Sequence, residues 1–263
     1  MIEDLFSLKG RIALVTGGSR GIGKMIAQGF VESGARVYIS SRKADVCEET
    51  AAELSKNGGQ CIAIPMDASS FEGANALAKT IMAREPKLDI LVNNAGAAWL
   101  AEIDAFPEKG WDKVLDLNLK TPFFLTQALL PALRAAASAS RPAKVINIAS
   151  IDGISVNPQE TYSYAASKAG LIHLTRRMAL RLAEDNIVMT AIAPGPFSSD
   201  MNTIARDQAD EVAKRVPAKR IGRDEDMAGA AIFLASRAGD YVVGSTLTVD
   251  GGVTHARSGT GAL

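Results

Sequence analysis

Between Arg11 and Gly34 the chain passes from an apolar run, Arg11-Ile12-Ala13-Leu14-Val15-Thr16, through Gly17-Gly18-Ser19-Arg20-Gly21-Ile22-Gly23 into a stretch that carries Met25, Ile26, Gln28, Phe30 and Val31. The first piece reads as a buried strand and the third as an amphipathic helix that stops at the glycine. Glycines in the turn let backbone come close to a ligand. The helix start offers free N–H groups and positive partial charge, so the whole unit is a cradle for a pyrophosphate. Its spacing is Gly-x-x-x-Gly-x-Gly rather than the commoner Gly-x-Gly-x-x-Gly.

The rest of the chain repeats the alternation. Strands are expected at 36–40, 60–65, 88–93, 143–149, 187–193 and 245–249, and helices at 43–57, 70–85, 111–137, 162–184 and 224–235. Pro122 and Pro131 should kink or break the third of these helices. Continuous Val/Ile/Leu runs imply strands covered on both faces, hence a parallel sheet. The expected fold is α/β: a single doubly wound (Rossmann-like) domain over residues 1–263. It has a seven-stranded parallel sheet, helices on both faces and a ligand crevice at the carboxyl ends of the strands. Two stretches break the rhythm. Residues 196–216 have no strand and many charges, and 255–263 form a polar, glycine-rich tail expected to be flexible.

Lys plus Arg equals Asp plus Glu at 29 each, so nothing draws the chain to nucleic acid or an anionic membrane. Cys47 and Cys61 are the only cysteines, and with His173 and His255 they lack metal-ligand spacing. No metal is expected, and free thiols in a reducing compartment are. Residues 1–9 show no basic region followed by an apolar run, and no stretch reaches the roughly 20 apolar residues of a membrane span. The cytoplasm is the expected compartment.

Tyr164-Ala165-Ala166-Ser167-Lys168 sits in a helical segment, so a phenol and an ammonium share one helix face. A nearby cation favours phenolate, which would bring the phenol from its ordinary pKa of about 10 toward working pH. Around this pair stand Thr16-Gly17-x-x-x-Gly21-Ile22-Gly23, Asn93-Asn94-Ala95-Gly96, Asn118, Ser150, Pro194-Gly195 and Asp250-Gly251-Gly252, in that order along the chain. From Leu8 to about Val253 the sequence resembles the short-chain dehydrogenase/reductase family in its compact single-domain branch.

The resemblance implies an oxidoreductase acting on CH–OH and C=O groups. Tyr164 would be the proton donor in reduction and Ser150 a hydrogen-bond donor to the same oxygen. Lys168 would lower the Tyr164 pKa and hold the nicotinamide ribose. Asn118 would anchor a water linking Lys168 to solvent. The cofactor would meet Gly17, Ser19, Arg20, Gly21, Ile22 and Gly23, then Asp67 and Ala68, then Asn94, Ala95 and Gly96. Tyr164, Lys168, Pro194, Gly195 and Phe197 complete the set, with Ser199 or Ser198 on the nicotinamide amide. The position after the second strand, where an acid would accept from a ribose 2′-hydroxyl, holds Ser41 and Arg42 instead. With Arg20 they suit a 2′-phosphate, so NADP(H) is the expected cofactor.

The substrate is less constrained. Ser150 precedes Tyr164 by fourteen positions, where many family members have thirteen, and this gap with Pro194–Met201 is similar to the 3-oxoacyl reductases linked to rhamnolipid synthesis. Trp99, Ile154, Val156, Phe197 and Met201 would line an apolar pocket. An NADPH-dependent ketoreductase of a 3-oxoacyl thioester or similar lipophilic ketone is therefore expected. The alternatives are a dehydrogenase of a secondary alcohol (sugar, polyol or steroid) and a non-catalytic NADP sensor. Family resemblance further implies a homotetramer and a substrate lid at 196–216. Glu184 and Asp185 end the Tyr-bearing helix where reductases that use acyl carrier protein carry a base, so that partner is possible but not favoured.

Overall fold

A computed structural model describes residues 2–256. Its seven strands are β1 Ile12–Thr16, β2 Arg36–Ser41, β3 Gln60–Pro65, β4 Ile90–Asn93, β5 Ala143–Ile148, β6 Ile187–Pro194 and β7 Thr246–Val249. They form one sheet in the order β3-β2-β1-β4-β5-β6-β7, with every neighbouring pair parallel. Side chains alternate between two apolar layers. Along β1, Ala13 and Val15 enter one layer and Leu14 the other.

Ten α-helices connect the strands: α1 Ile2–Phe6, α2 Gly21–Glu32, α3 Ala44–Leu54, α4 Phe71–Arg84, α5 Glu108–Leu115, α6 Thr121–Ala136, α7 Tyr162–Leu182, α8 Thr203–Asp207, α9 Ala209–Arg215 and α10 Asp224–Ala235. Phe30 of α2, Ala51 of α3 and Met227 of α10 pack on one face of the sheet. Leu77 of α4, Leu129 of α6 and Leu182 of α7 pack on the other. Strand order reverses between β1 and β4, so the loops after β1, β4 and β5 open onto a common crevice.

The expected single helix over 111–137 is three pieces. Between α5 and α6 runs a π-helical turn, Asp116–Lys120, closed by the Thr121 N–H to the Asp116 carbonyl. Pro122 follows at the start of α6 and has no N–H to continue an α-helical ladder, so the interruption falls just before it. Pro131 interrupts nothing. It sits on the exposed side of α6, where a missing hydrogen bond costs least.

Residues 196–216 form the helix pair α8 and α9. Of the 255–263 tail, only His255 and Ala256 fall within the described residues. Cys47 and Cys61 are free and buried, and burial pushes the Cys61 thiol up to about 12. Among the described residues no helix is long and apolar enough to cross a membrane, and no cluster of His, Cys, Asp and Glu could hold a metal ion.

Candidate active site

Ser150 leaves the carboxyl end of β5, and Tyr164 and Lys168 lie one turn apart near the start of α7. Lys168 Nζ stands 5.5 Å from the centre of the Tyr164 ring and donates to the Ile148 carbonyl at 2.7 Å. Ser150 is buried; its Oγ accepts the Asp152 N–H at 3.1 Å, and its hydroxyl is hydrogen-bonded to Tyr164. The four expected catalytic residues thus include three that converge on one point.

The electrostatics differ from the sequence expectation. Burial pushes the Tyr164 phenol up to about 12, against a smaller downward pull from the Ser150 hydroxyl. Burial also pushes Lys168 down to about 8, with Asp152 pulling it back up. Helical spacing correctly implies proximity, but desolvation dominates the phenol, and Lys168 is not among the groups that shift it. In the protein alone Tyr164 is a neutral acid at pH 7.

Asn118 lies on the π-turn and is buried. Its Oδ1 accepts the Ala97 N–H at 2.8 Å, and its Nδ2 donates to the Ala97 carbonyl at 2.9 Å and to Ser167 Oγ at 3.0 Å. Ser167 in turn donates to the Tyr164 carbonyl at 2.7 Å. Asn118 therefore ties the loop after β4 to α7, and its side chain has no amide hydrogen left over for a water.

The glycine turn is built as a cradle. Gly17 and Gly21 have φ of +64° and +51°, the region that favours glycine. No side chain caps α2 at its start, so its first N–H groups are free for an anion. Ile22 packs on the core, and Ser19 is buried with its carbonyl accepting Thr50 Oγ1 at 3.0 Å. Asn94 Nδ2 donates to the carbonyls of Thr16 and Gly17 at 2.9 and 3.1 Å. Thr16 Oγ1, which the sequence reading left without a role, accepts the N–H of both Asn94 and Ala95 at 3.0 Å. Gly96 lies beside Asn118 and Lys168. Ala68 is buried, and its carbonyl accepts Thr121 Oγ1 at 3.1 Å. Asp67 is exposed and accepts the Ser69 N–H at 2.9 Å. Pro194 ends β6, and Gly195 is pressed against Asp250.

Three expected cofactor contacts are modified. Arg20 pairs with Asp200 at 2.7 Å instead of standing free. Arg42 is exposed and forms no ion pair among the described residues, and Ser41 donates to the Lys43 carbonyl at 3.4 Å, so Arg42, with its neighbour Lys43, is an uncommitted cation after β2. Phe197 is almost wholly buried. Its ring is buried in the core against Gly222, because a full aromatic ring gains more there than at a wet mouth. At 3% exposure it offers the expected substrate pocket little surface. Ser199 lies against Gly21 and accepts the Asn202 N–H at 3.1 Å, which brings the 196–216 segment over the glycine turn.

Known proteins resemble this arrangement throughout. A family model described as enoyl-(acyl carrier protein) reductase matches residues 17–254. The rhamnolipids biosynthesis 3-oxoacyl-[acyl-carrier-protein] reductase of Pseudomonas aeruginosa is 50% identical over 256 residues, covering 95% of this chain and 99% of that one. A 2-dehydro-3-deoxy-D-gluconate 5-dehydrogenase of Dickeya dadantii is 37% identical over 261 residues, covering 96% and 98%. The solved Pseudomonas aeruginosa RhlG/NADP active-site complex superposes with a TM-score of 0.92 at 48% identity, covering 95% and 99%. Fold, site geometry and these similarities together place the chain in the short-chain dehydrogenase/reductase family.

Proposed function

We propose that the chain is a cytoplasmic NADPH-dependent ketoreductase whose substrate is a 3-oxoacyl thioester or a similar lipophilic ketone. The observation that carries this reading is the convergence of Ser150, Tyr164 and Lys168 beside a helix start left without a side-chain cap. Its uncapped N–H groups and the free Arg42 suit the pyrophosphate and 2′-phosphate of NADP(H), matching the ligand of the RhlG complex.

NADPH, when bound, supplies a hydride to the carbonyl carbon. The protein's own groups manage the charge left on oxygen. Ser150 donates a hydrogen bond to that oxygen, turning its hydroxyl from Tyr164 to the substrate. Tyr164, kept neutral by burial, gives up the phenolic proton. The phenolate that results is favoured by the Lys168 ammonium. Lys168 also holds the ribose. Pro122 cannot give the Asn118 carbonyl an α-helical hydrogen bond, which supports placing the relay water on that main-chain oxygen rather than on the side chain.

A lysine depressed to about 8 is charged below that pH and neutral above it. The second-order rate of ketone reduction is therefore expected to be steady up to about pH 8 and to fall beyond it. A pH–rate profile that stays flat to about pH 10 would remove Lys168 charge from the mechanism.

The substrate reading is tested by following NADPH absorbance with 3-oxoacyl thioesters, simple ketones and 5-keto-gluconate. Thioesters are expected to lead by at least about tenfold in kcat/KM. NADP reduction driven by a sugar acid would favour instead the secondary-alcohol reading, which the 37% identical gluconate-type relative supports. Acyl carrier protein is less disfavoured than the sequence implies. Asp185 is bound by Arg134 at 2.8 Å and by Arg181 at 3.3 Å, so the end of α7 is balanced rather than acidic. A homotetramer paired through α5, α6 and α7 is supported by the exposed Trp111 on α5 and the exposed Tyr162 and Leu180 on α7. The α8–α9 pair is assigned as the substrate lid.

A further inference from the structure

Asp152 stands two residues beyond Ser150, raises the Lys168 pKa and touches none of the reacting atoms in the chemistry above. Its turn, Ile151–Gly153, rests on α7 at Lys168: a Cβ on Gly153 would lie 2.7 Å from the Lys168 carbonyl carbon. Its N–H donates to Ser150 Oγ at 3.1 Å. Its carboxylate is half-buried, with Asn157 Nδ2 at 3.5 and 3.4 Å from the two oxygens. From this position its charge acts on both Tyr164 and Lys168. The turn that carries the carboxylate is thus fixed beside the groups that receive the carbonyl.

The two wall segments beside it carry no cation of their own to offset it. Segments 97–107 and 150–161 are joined by the Ala101 N–H to the Glu160 carbonyl at 3.3 Å. They contain Glu102, Asp104, Asp152 and Glu160 and no lysine or arginine. Their exposed large side chains are apolar: Leu100, Ile103, Ile154 and Val156. Across the crevice Arg20 and Arg206 are both spent on Asp200. Lys168 is buried, hydrogen-bonded to Ile148 and already coupled to Asp152 itself, and Lys113 is drawn over the Trp99 ring at 5.5 Å. A substrate carboxylate entering here meets the Asp152 charge between wall segments that carry no cation of their own, and the half-desolvated setting strengthens that repulsion. An ester or thioester meets apolar wall instead.

We propose that Asp152 is a specificity-determining residue that rejects keto acids and admits uncharged ketones. The proposal rests on the ketoreductase reading and narrows it, since it sets this site against sugar acids of the kind named for the gluconate-type relative.

The test uses acetoacetate and ethyl acetoacetate, which present the same ketone with and without a carboxylate. Dissociation constants are measured by calorimetry on the NADP-loaded enzyme, as wild type and as Asp152→Asn, and NADPH oxidation is followed separately. The wild type is expected to bind the ester about tenfold more tightly than the acid, the scale of one partly screened charge. In Asp152→Asn the acid should gain to within about twofold of the ester, with ester affinity unchanged. Raising salt tenfold should narrow the wild-type gap, a readout that needs no variant. Equal binding of acid and ester by the wild type, a gap insensitive to salt, or a gap of the same size in Asp152→Asn would each overturn the proposal. Selective binding without turnover of either compound would leave Asp152 in this role and remove the ketoreductase reading instead.

Discussion

Tyr164→Phe is expected to cut ketone reduction by a factor of about 10²–10⁴, the usual worth of a positioned proton donor, while NADPH affinity stays within about twofold. The substitution removes one oxygen and keeps the ring. Lys168 retains its bond to the Ile148 carbonyl at 2.7 Å, and Asn118 and Ser167 retain theirs, so the architecture under the ring is untouched. What disappears is the proton. Burial holds the phenol near 12, so the wild-type group enters each turnover protonated at neutral pH. The reaction must supply the driving force for transfer, through charge growing on the substrate oxygen. The loss should therefore fall on kcat rather than on cofactor binding. NADPH titration by fluorescence and steady-state rates on one preparation decide the matter. If affinity and rate collapse together, the ring is structural and the proton donor lies elsewhere.

The parts of this molecule that sequence made legible are those set by local chemistry. Val, Ile and Leu runs announce strands covered on both sides, and the glycine turn announces itself by residues that few other conformations need. The order Asn118, Ser150, Tyr164, Lys168 also survives folding as a cluster. What stayed hidden depends on partners distant along the chain or on the dielectric around a group. The π-turn at 116–120 arises where Pro122 withholds a donor and Ala97 clamps Asn118, and neither shows as a periodicity. Arg20 reads as a phosphate ligand until Asp200, far along the chain, is seen to hold it. Phe197 reads as a pocket residue from its place after Pro194-Gly195, yet its ring gains most in the core. The spacing of Tyr164 and Lys168 reveals that they meet, but not that both are desolvated, which reverses the expected shift of the phenol. Asp152 sits in a loop, where a lone acid carries no pattern to mark it.

Gly23→Ala is expected to weaken NADPH binding by about 30–100-fold and to lower the melting temperature by about 4–8 °C, as overpacking by about 2 kcal/mol does in a domain of this size. Gly23 lies in the first turn of α2, facing the turn that precedes it. A Cβ there would overlap the Gly17 carbonyl oxygen and Asn94 Nδ2, and would stand 2.8 Å from the Gly17 carbonyl carbon. These are backbone and a committed amide, so nothing flexible can give way. The helix start must move off the strand end, and the Asn94 bonds to Thr16 and Gly17 must lengthen. Both motions misaim the uncapped N–H groups that the pyrophosphate needs. Gly58→Ala supplies the control. Gly58 has φ +85°, and a Cβ there meets nothing within 4 Å, so the change costs backbone strain of about 1–2 kcal/mol far from the crevice. The two variants should melt within a few degrees of each other, and only Gly23→Ala should lose the cofactor. Equal NADPH affinity in both would mean that the close approach of α2 to the Gly17 turn serves packing alone.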